Sequence, residues 1–180
     1  MIQDSLLLFS SAQDLSQVVG TYASTNVIDF GLGTTAAPGI PSLANGGGAR
    51  DMGVGDKPAI KVCVSVNEAF ASAGAATLQV HFQGAPDNGA GAPDTFVTWY
   101  STMLYALADL AQGARLMDID MPRPPSGEPM PRFVRLLYQV ATATTTAGTC
   151  DASLVLDRID QPIGSSGHLS GYRAGINVAN

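Results

Sequence analysis

The clearest pattern in the chain is an alternation of apolar and polar residues between positions 131 and 158. Every second residue from Val134 to Val140 is apolar, and the same period of two returns from Cys150 to Leu156. Successive side chains of a β-strand point to opposite faces of the sheet, so this period predicts two half-buried strands. The segment 144–148 between them is too short for a helical crossover, and we therefore expect the two strands to pair as an antiparallel hairpin.

Shorter stretches repeat this alternation and predict further strands. They are Ser24–Phe30, Lys57–Val66, Thr77–Gln83, Thr95–Tyr100 and Leu116–Met121. The segment 101–116 differs because its leucines and alanines have helical spacing. With Ser101 as N-cap and Gly113 where a C′ glycine would lie, it predicts a short helix or helical turn. Seven or eight short strands, joined by loops rich in glycine and proline and without a helix–strand repeat, predict an all-β fold, an antiparallel β-sandwich.

The composition indicates one domain with few charged residues. A chain of 180 residues can bury a hydrophobic core, and 46% of its residues are apolar. Only 13% are charged, about half the usual share for a globular domain. The net charge of −6 argues against a nucleic-acid partner held through its phosphates. We expect an N-terminal arm at residues 1–20, the sandwich at 21–160 and an extended C-terminal tail at 161–180.

Neither a secretion signal nor a membrane span is expected. The N-terminus contains Asp4 and only four consecutive apolar residues, without the basic region of a signal peptide. No apolar run approaches the ~20 residues that a transmembrane helix needs. We therefore expect no membrane partner and a chain that is made and kept inside the cell.

The two cysteines, Cys63 and Cys150, both lie in apolar, strand-like stretches. Cysteine is among the residue types most often buried, which favours two buried thiols. The sequence alone leaves a disulfide between them open.

Reactive side chains are sparse, and none belongs to a catalytic motif. His81 and His168 are the only histidines, and no G-x-S-x-G elbow accompanies them. Asp118 and Asp120 share one strand face about 7 Å apart, which is typical of the solvated face of an edge strand. Asp87 and its neighbours lack the spacing of a calcium-binding loop. We expect no catalytic residue, metal site or cofactor, and a hydrolase that uses His81, or Asp118 with Asp120, is the least favoured alternative.

A carbohydrate-binding module is an alternative that is favoured over the hydrolase. Trp99 and Tyr100 could stack on a sugar beside the carboxylate of Asp87 on the face of a jelly-roll sandwich. An aromatic residue on an alternating strand is more often part of the core, however.

Six fragments, taken in order, resemble a known family. They are DSLLLFSSAQ (4–13), STNVIDFG (24–31), RDMGVGDKPAIKVCVSV (50–66), AATLQVHFQ (75–83), LAQGARLMDIDMP (110–122) and RFVRLLYQV with TTAGTCDASLVLD (132–157). Their order and spacing resemble the capsid cement, or decoration, proteins of tailed bacteriophages, of the kind found in a Bordetella podophage. The resemblance covers residues 1–158. The insertion APGIPSLANGGG (37–48) and the tail beyond Asp160 depart from it.

The resemblance implies a jelly-roll-like β-sandwich on the outer surface of the virion capsid. There it would bridge subunits of the major capsid protein and stabilise the expanded shell, as a dimer or trimer of identical chains and without catalytic residues. We expect the contacts in the N-terminal arm, the glycine-rich loop, the 122–131 loop and the tail. The residues concerned are Leu7, Leu8, Phe9, Ile40, Leu43, Pro124, Pro125, Met130, Leu169, Tyr172 and Ile176.

Overall fold

The computed structural model describes residues 7–30, 60–128 and 131–156. Within these ranges the chain forms ten β-strands and a 3₁₀ turn at Leu107–Asp109. The strands are β1 (Leu8–Asp14), β2 (Gly20–Ala23), β3 (Ile28–Asp29), β4 (Ile60–Ser72), β5 (Thr77–Ala85), β6 (Val97–Ser101), β7 (Tyr105–Ala106), β8 (Arg115–Asp120), β9 (Phe133–Ala141) and β10 (Thr145–Leu156). All pairs between these strands are antiparallel. Among the described residues, no helix has the length and apolar character to cross a membrane.

The strands form two sheets that face each other as a sandwich. The four-stranded sheet has the order β1-β10-β4-β8, and the six-stranded sheet has the order β2-β9-β5-β6. The short strands β3 and β7 complete the second sheet, β3 on β9 and β7 on β5. The predicted all-β sandwich is therefore confirmed.

The hairpin predicted for residues 131–158 is wrong, although both of its strands exist. β9 lies in the six-stranded sheet and β10 in the four-stranded sheet, so the two strands do not pair. Their partners are β5 and β4, which are distant in sequence. The three residues 142–144 can span about 10 Å, the usual distance between packed sheets, so a short link suffices to cross the core. Thr142 turns the chain with a φ of 69°.

The β4–β5 connection crosses between the sheets beside the β9–β10 connection. Because β4 pairs with β10 and β5 with β9, the four strands form one long antiparallel ribbon that folds at 73–76 and 142–144. The hydroxyl of Ser72 donates to the backbone carbonyl of Thr144 at 2.6 Å. A Cβ on Gly74 would lie 2.9 Å from the Cβ of Ala143, so the two crossings are in close contact. We call this end of the sandwich, with the crossings 15–19, 73–76 and 142–144, the folded end.

The long connections all leave from the opposite end, which we call the loop end. There Asp29 pairs with Phe133, Lys61 pairs with Asp120, and Ala85 also pairs with Phe133. The connections 30–59, 86–96 and 121–132 start and finish beside these pairs. The chain also enters β1 and leaves β10 at this end, since Leu8 pairs with Ser153.

The core lies between the sheets and contains the apolar positions that the alternation marked. Val134, Leu136, Tyr138 and Val140 are buried, as are the inward residues of β4 and β5. The Phe9 ring meets the Phe82 ring edge-on at 6.2 Å between centroids. Residues 8–14, which we expected in an extended arm, form the edge strand β1, and Asn26 donates its backbone N–H to the carbonyl of Phe9 at 2.9 Å.

The helical prediction for 101–116 is confirmed only as the 3₁₀ turn Leu107–Asp109. Ser101 is the last residue of β6, so its predicted role as an N-cap is wrong. Gly113 adopts a φ of 82° in the turn before β8, a conformation that glycine adopts at low cost. The leucine spacing arose because Leu110 is buried and Leu107 packs against the core.

Both cysteines are buried thiols and neither forms a disulfide. On β10, Cys150 follows the inward alternation, and on β4, Cys63 alternates with the inward residues Val62 and Val64. The two side chains therefore point to opposite faces of the four-stranded sheet, which settles the question that the sequence left open.

Candidate interaction surface

Four chain segments without a charged residue meet at the folded end. They are residues 15–23, 69–80, 101–108 and 139–150. Each segment contributes one residue to a single row across the six-stranded sheet. The row runs in the order Gly20, Val140, Leu78 and Tyr105. These four segments contain no charged residue, but each is directly bounded by an acidic one: Asp14, Glu68, Asp109 and Asp151.

Two pairs of exposed apolar side chains lie on opposite edges of this region. The valine pair, Val18 and Val19, precedes β2, and its members are 65% and 55% exposed. The Met–Leu pair, Met103 and Leu104, precedes β7, and its members are 68% and 52% exposed. Since β9 and β5 lie between β2 and β7, the two edges are three strand spacings apart, about 14 Å.

The crossing that carries the valine pair is held in place by Thr145. The Thr145 hydroxyl donates to the carbonyl of Leu15 at 2.5 Å and accepts from the backbone N–H of Gln17 at 2.9 Å. The Thr145 backbone N–H donates to the carbonyl of Gln17 at 3.0 Å. The polar groups of this crossing thus bond within the domain, and the valines project from a fixed backbone. The carboxylate of the adjoining Asp14 accepts from the backbone N–H of Ser16 at 2.8 Å. Exposed apolar side chains on a rigid frame are typical of a protein–protein contact.

On the outward face of the six-stranded sheet, His81 bridges two strands. Its Nδ1 lies 2.7 Å from the Ser101 hydroxyl and its Nε2 lies 3.1 Å from the Gln139 side-chain oxygen. A serine beside a histidine is the start of a nucleophilic triad, but the third group here is a neutral amide, which cannot stabilise an imidazolium as a carboxylate does. The arrangement fits a cross-strand polar row, which Gln83 continues by donating to Thr98 at 3.0 Å.

The two carboxylates of β8 have separate cationic partners. Asp118 lies 3.5 Å from the Arg115 guanidinium, and Asp120 lies 3.6 Å from the Lys61 ammonium. Both pairs lie on the outward face of an edge strand, where an ion pair contributes little to stability. The structure therefore does not join Asp118 and Asp120 in a shared acid–base site.

Asp87 belongs to an ion-pair cluster at the loop end. The guanidinium of Arg132 is 7% exposed and donates to the Asp29 carboxylate at 2.8 and 3.0 Å and to Asp87. Asp87 also accepts from the backbone N–H groups of Gly89 and Gly91, at 2.5 and 3.2 Å. Burial opposes its ionisation, but the two N–H groups and Arg132 together outweigh burial and hold the pKa of Asp87 below its ordinary value. These contacts fix the 86–96 loop to the sheet.

Two of the three residues named for the alternative of sugar binding, Asp87 and Trp99, contact other groups of the domain. Within the described ranges, no group of three or more His, Cys, Asp or Glu side chains is placed to hold a metal ion. Trp99 packs on Phe82 with 5.8 Å between ring centroids and covers Gly84, where a Cβ would lie 2.1 Å from the indole ring. Of the predicted sugar-binding residues, only Tyr100 is exposed, at 38%.

Comparison with protein families matches residues 9–154 to Bbp16, a family of Bordetella phage proteins. The chain belongs to the Bbp16 family. The matched region begins in β1 and ends in β10, so this Bbp16 domain includes both sheets and both crossings of the ribbon. No curated protein matches the chain. The predicted likeness to a Bordetella phage protein is thereby confirmed at the level of the family.

The contacts predicted for this Bbp16 chain that fall on described residues lie at the loop end. Leu7 and Leu8 are half-buried, Pro124 is half-buried and Pro125 is exposed. Phe9 is completely buried and belongs to the core rather than to the surface. The others, Ile40, Leu43, Met130, Leu169, Tyr172 and Ile176, lie outside the described residues, as does His168.

Sequence reasoning missed the folded end of the Bbp16 domain as a candidate surface. Its segments are far apart in the chain, and only the sheet order brings them together. A signal was present, because each segment is a run of eight or more residues without Asp, Glu, Lys or Arg.

Proposed function

We propose that this Bbp16 chain is a structural protein of the virion that binds the outer surface of the capsid. It stabilises the expanded shell by bridging subunits of the major capsid protein. The observation that carries the proposal is the meeting of four uncharged segments at the folded end, with the valine pair and the Met–Leu pair exposed there. Catalysis has no part in this function.

An uncharged contact surface suits a protein that must cover many equivalent sites. Burying charged groups at an interface costs free energy unless each one finds a partner, and the four segments of the folded end contain none between their bounding acidic residues. Modest affinity at each contact is sufficient when one molecule engages several subunits, because the second contact forms at a high effective concentration.

The polar clusters of the domain support a structural task. Three side chains could in principle take part in acid–base chemistry, those of His81, Asp87 and Asp118. Each of them bonds to other groups of the same domain. They hold strands and loops in register, so the sandwich presents its ends at a fixed separation. A rigid body of this kind can span neighbouring subunits without losing much conformational entropy on binding.

Co-sedimentation with expanded, empty capsids of the phage that encodes the chain tests the proposal. The purified chain is expected to sediment with the shells and to raise the temperature at which they disassemble. The double variant Val18→Asp/Met103→Asp places a charge in each apolar pair and is expected to lose binding. Val27→Asp is the matched control, because Val27 is 42% exposed on the same edge as the valine pair but outside the folded end. Failure of the unmodified chain to sediment with the shells would contradict the proposal.

A further inference from the structure

We infer that Asn88–Gly89 is a latent deamidation site, which the carboxylate of Asp87 keeps unmodified in the folded chain. Asparagine is among the thermolabile residues of proteins. A glycine after it increases its reactivity, because no Cβ shields the backbone nitrogen that attacks. The chain contains two such pairs, Asn45–Gly46 and Asn88–Gly89. This inference concerns the chemical lifetime of the 86–96 loop and does not rest on the proposed function.

Deamidation at Asn88 begins when the backbone nitrogen of Gly89 gives up its proton and attacks the side-chain carbon Cγ of Asn88. A C–N bond forms, and the side-chain nitrogen takes up a proton and leaves as ammonia. Water then opens the resulting five-membered imide at either of its two carbonyl carbons, which yields aspartate or isoaspartate. Either product adds a negative charge, and isoaspartate also adds a methylene group to the backbone of the loop.

Burial does not protect this pair from the reaction. Every residue from Asn88 to Thr95 is exposed, so water and hydroxide reach the loop. The backbone around the pair is nevertheless held, since the N–H of Asn88 donates to the carbonyl of Ala92 at 3.0 Å and the N–H of Asp94 donates to that of Pro86 at 3.0 Å. Protection therefore has to come from the hydrogen bonds of the loop.

The Asp87 carboxylate opposes the first step. Its Oδ1 accepts from the backbone N–H of Gly89 at 2.5 Å, so the proton that the reaction removes is the one that this bond holds. Loss of that proton would place a nitrogen anion beside a carboxylate oxygen, and a like charge so close disfavours ionisation. Arg132 does not cancel the charge of Asp87, because it also bonds to Asp29, and the three side chains together carry a net charge of −1.

The side chain of Asn88 is held as well. Its Oδ1 accepts from the backbone N–H groups of Ala90 and Ala92, at 2.8 and 3.4 Å. These local bonds restrict the rotation that would bring Cγ to the nitrogen of Gly89. In the folded loop, the attacking nitrogen and the group that it would attack are therefore each bound elsewhere.

Mass spectrometry of the aged protein tests the inference. The full chain is incubated at mildly alkaline pH, folded or unfolded in urea, and the aspartate and isoaspartate formed at each Asn–Gly pair are then measured in a digest. Asn88 is expected to react at least about tenfold more slowly in the folded chain than in the unfolded chain, which corresponds to a barrier higher by about 1.4 kcal/mol. Equal rates at Asn88 in the two states would overturn the inference.

Two variants test whether the Asp87 carboxylate is the cause. Asp87→Ala removes the charge and the acceptor, whereas Asp87→Asn keeps an acceptor oxygen without the charge. Each is expected to raise the rate at Asn88 about tenfold, since Coulomb repulsion over 2.5 Å suffices for that effect even at the dielectric constant of water. Asn45–Gly46 is the internal reference for solution conditions, and its rate is expected to be the same in every variant.

Asp94→Ala is the matched control. Asp94 is a second carboxylate of the same loop, and its side chain accepts from Thr95 rather than from Gly89. This variant is expected to leave the rate at Asn88 unchanged, and urea unfolding checks that all variants are folded. The inference is overturned if Asp94→Ala accelerates the reaction as much as Asp87→Ala does, or if Asp87→Asn retains the protection of the unmodified chain.

Discussion

Replacing Phe9 by alanine tests whether β1 is part of the folded core. Phe9 lies in the region where the sequence pattern predicted an extended arm, yet its side chain is completely buried. Its ring meets the Phe82 ring edge-on at 6.2 Å. We expect Phe9→Ala to lower the free energy of unfolding by about 3–5 kcal/mol.

Three contributions give this magnitude. Burial of a phenylalanine side chain is worth about 1.5–3 kcal/mol, and an edge-to-face aromatic pair adds about 0.5–1.5 kcal/mol. The rest comes from the cavity, because β1 cannot move inward to fill it. Its carbonyl at Phe9 accepts from Asn26 at 2.9 Å, and Leu15 just beyond the strand donates its N–H to Gly148 at 2.9 Å.

Equilibrium urea unfolding, followed by the fluorescence of the single tryptophan, Trp99, measures the effect. Phe9→Leu keeps most of the buried volume and is expected to cost less than half as much as Phe9→Ala. Val18→Ala changes an exposed residue near the same strand and is expected to stay within about 0.5 kcal/mol of the unmodified chain. A loss below about 1 kcal/mol for Phe9→Ala would refute the assignment of β1 to the core.

Three further predictions concern single residues. Gly84→Ala places a methyl group against the Trp99 ring and is expected to lower the free energy of unfolding by about 1–3 kcal/mol. If the substitution costs as much in a Trp99→Ala background, the contact with the ring is not the reason. Burial and then the charge of Asp151 raise the pKa of Cys150 to about 12. Iodoacetamide near neutral pH is therefore expected to leave Cys150 unmodified until urea unfolds the chain. Peptide mapping that finds modification of Cys150 before unfolding would contradict this. The folded state lowers the pKa of Asp87, so its contribution to stability is present above the unfolded value of about 3.9 and is lost as the pH falls through the folded value. Asp87→Asn is therefore expected to flatten the acid limb of the stability profile. An acid limb as steep as that of the unmodified chain would argue against the role of Asp87.

The buried faces of the strands could be predicted from the sequence, but their neighbours could not. Alternation marked Val134 to Val140 and the inward residues of β4 correctly, because a strand at a core must place apolar groups at every second position. Nothing in that period distinguishes a turn that pairs β9 with β10 from a link that sends β10 to the other sheet. The choice depends on which distant strands can pair with β10. In the structure β10 lies between β1 and β4 and pairs with both.

The candidate surface was less predictable than the fold because exposure is a property of the assembled sheets. Val18 and Met103 sit in apolar stretches, which in a sequence indicate burial as readily as exposure. Asp87 shows the opposite case, a loop carboxylate that looks free for a ligand but is bound by Arg132, 45 residues further along the chain. Both outcomes depend on pairings between distant segments, which a single sequence does not display.

Synthesis on the ribosome delivers the two halves of the folded ribbon at different times. β5 ends at Ala85, whereas β9 and β10, the partners of β5 and β4 in the ribbon, are complete only at Leu156. At the usual 5–20 residues per second, β4 and β5 wait several seconds for those partners, and β1 waits longer because it pairs only with β10 among the described strands. Strands exposed in this way are prone to aggregate, and pairing between such distant segments is slow. We therefore expect the nascent chain to depend on chaperones and to fold as one unit once β10 has left the ribosome.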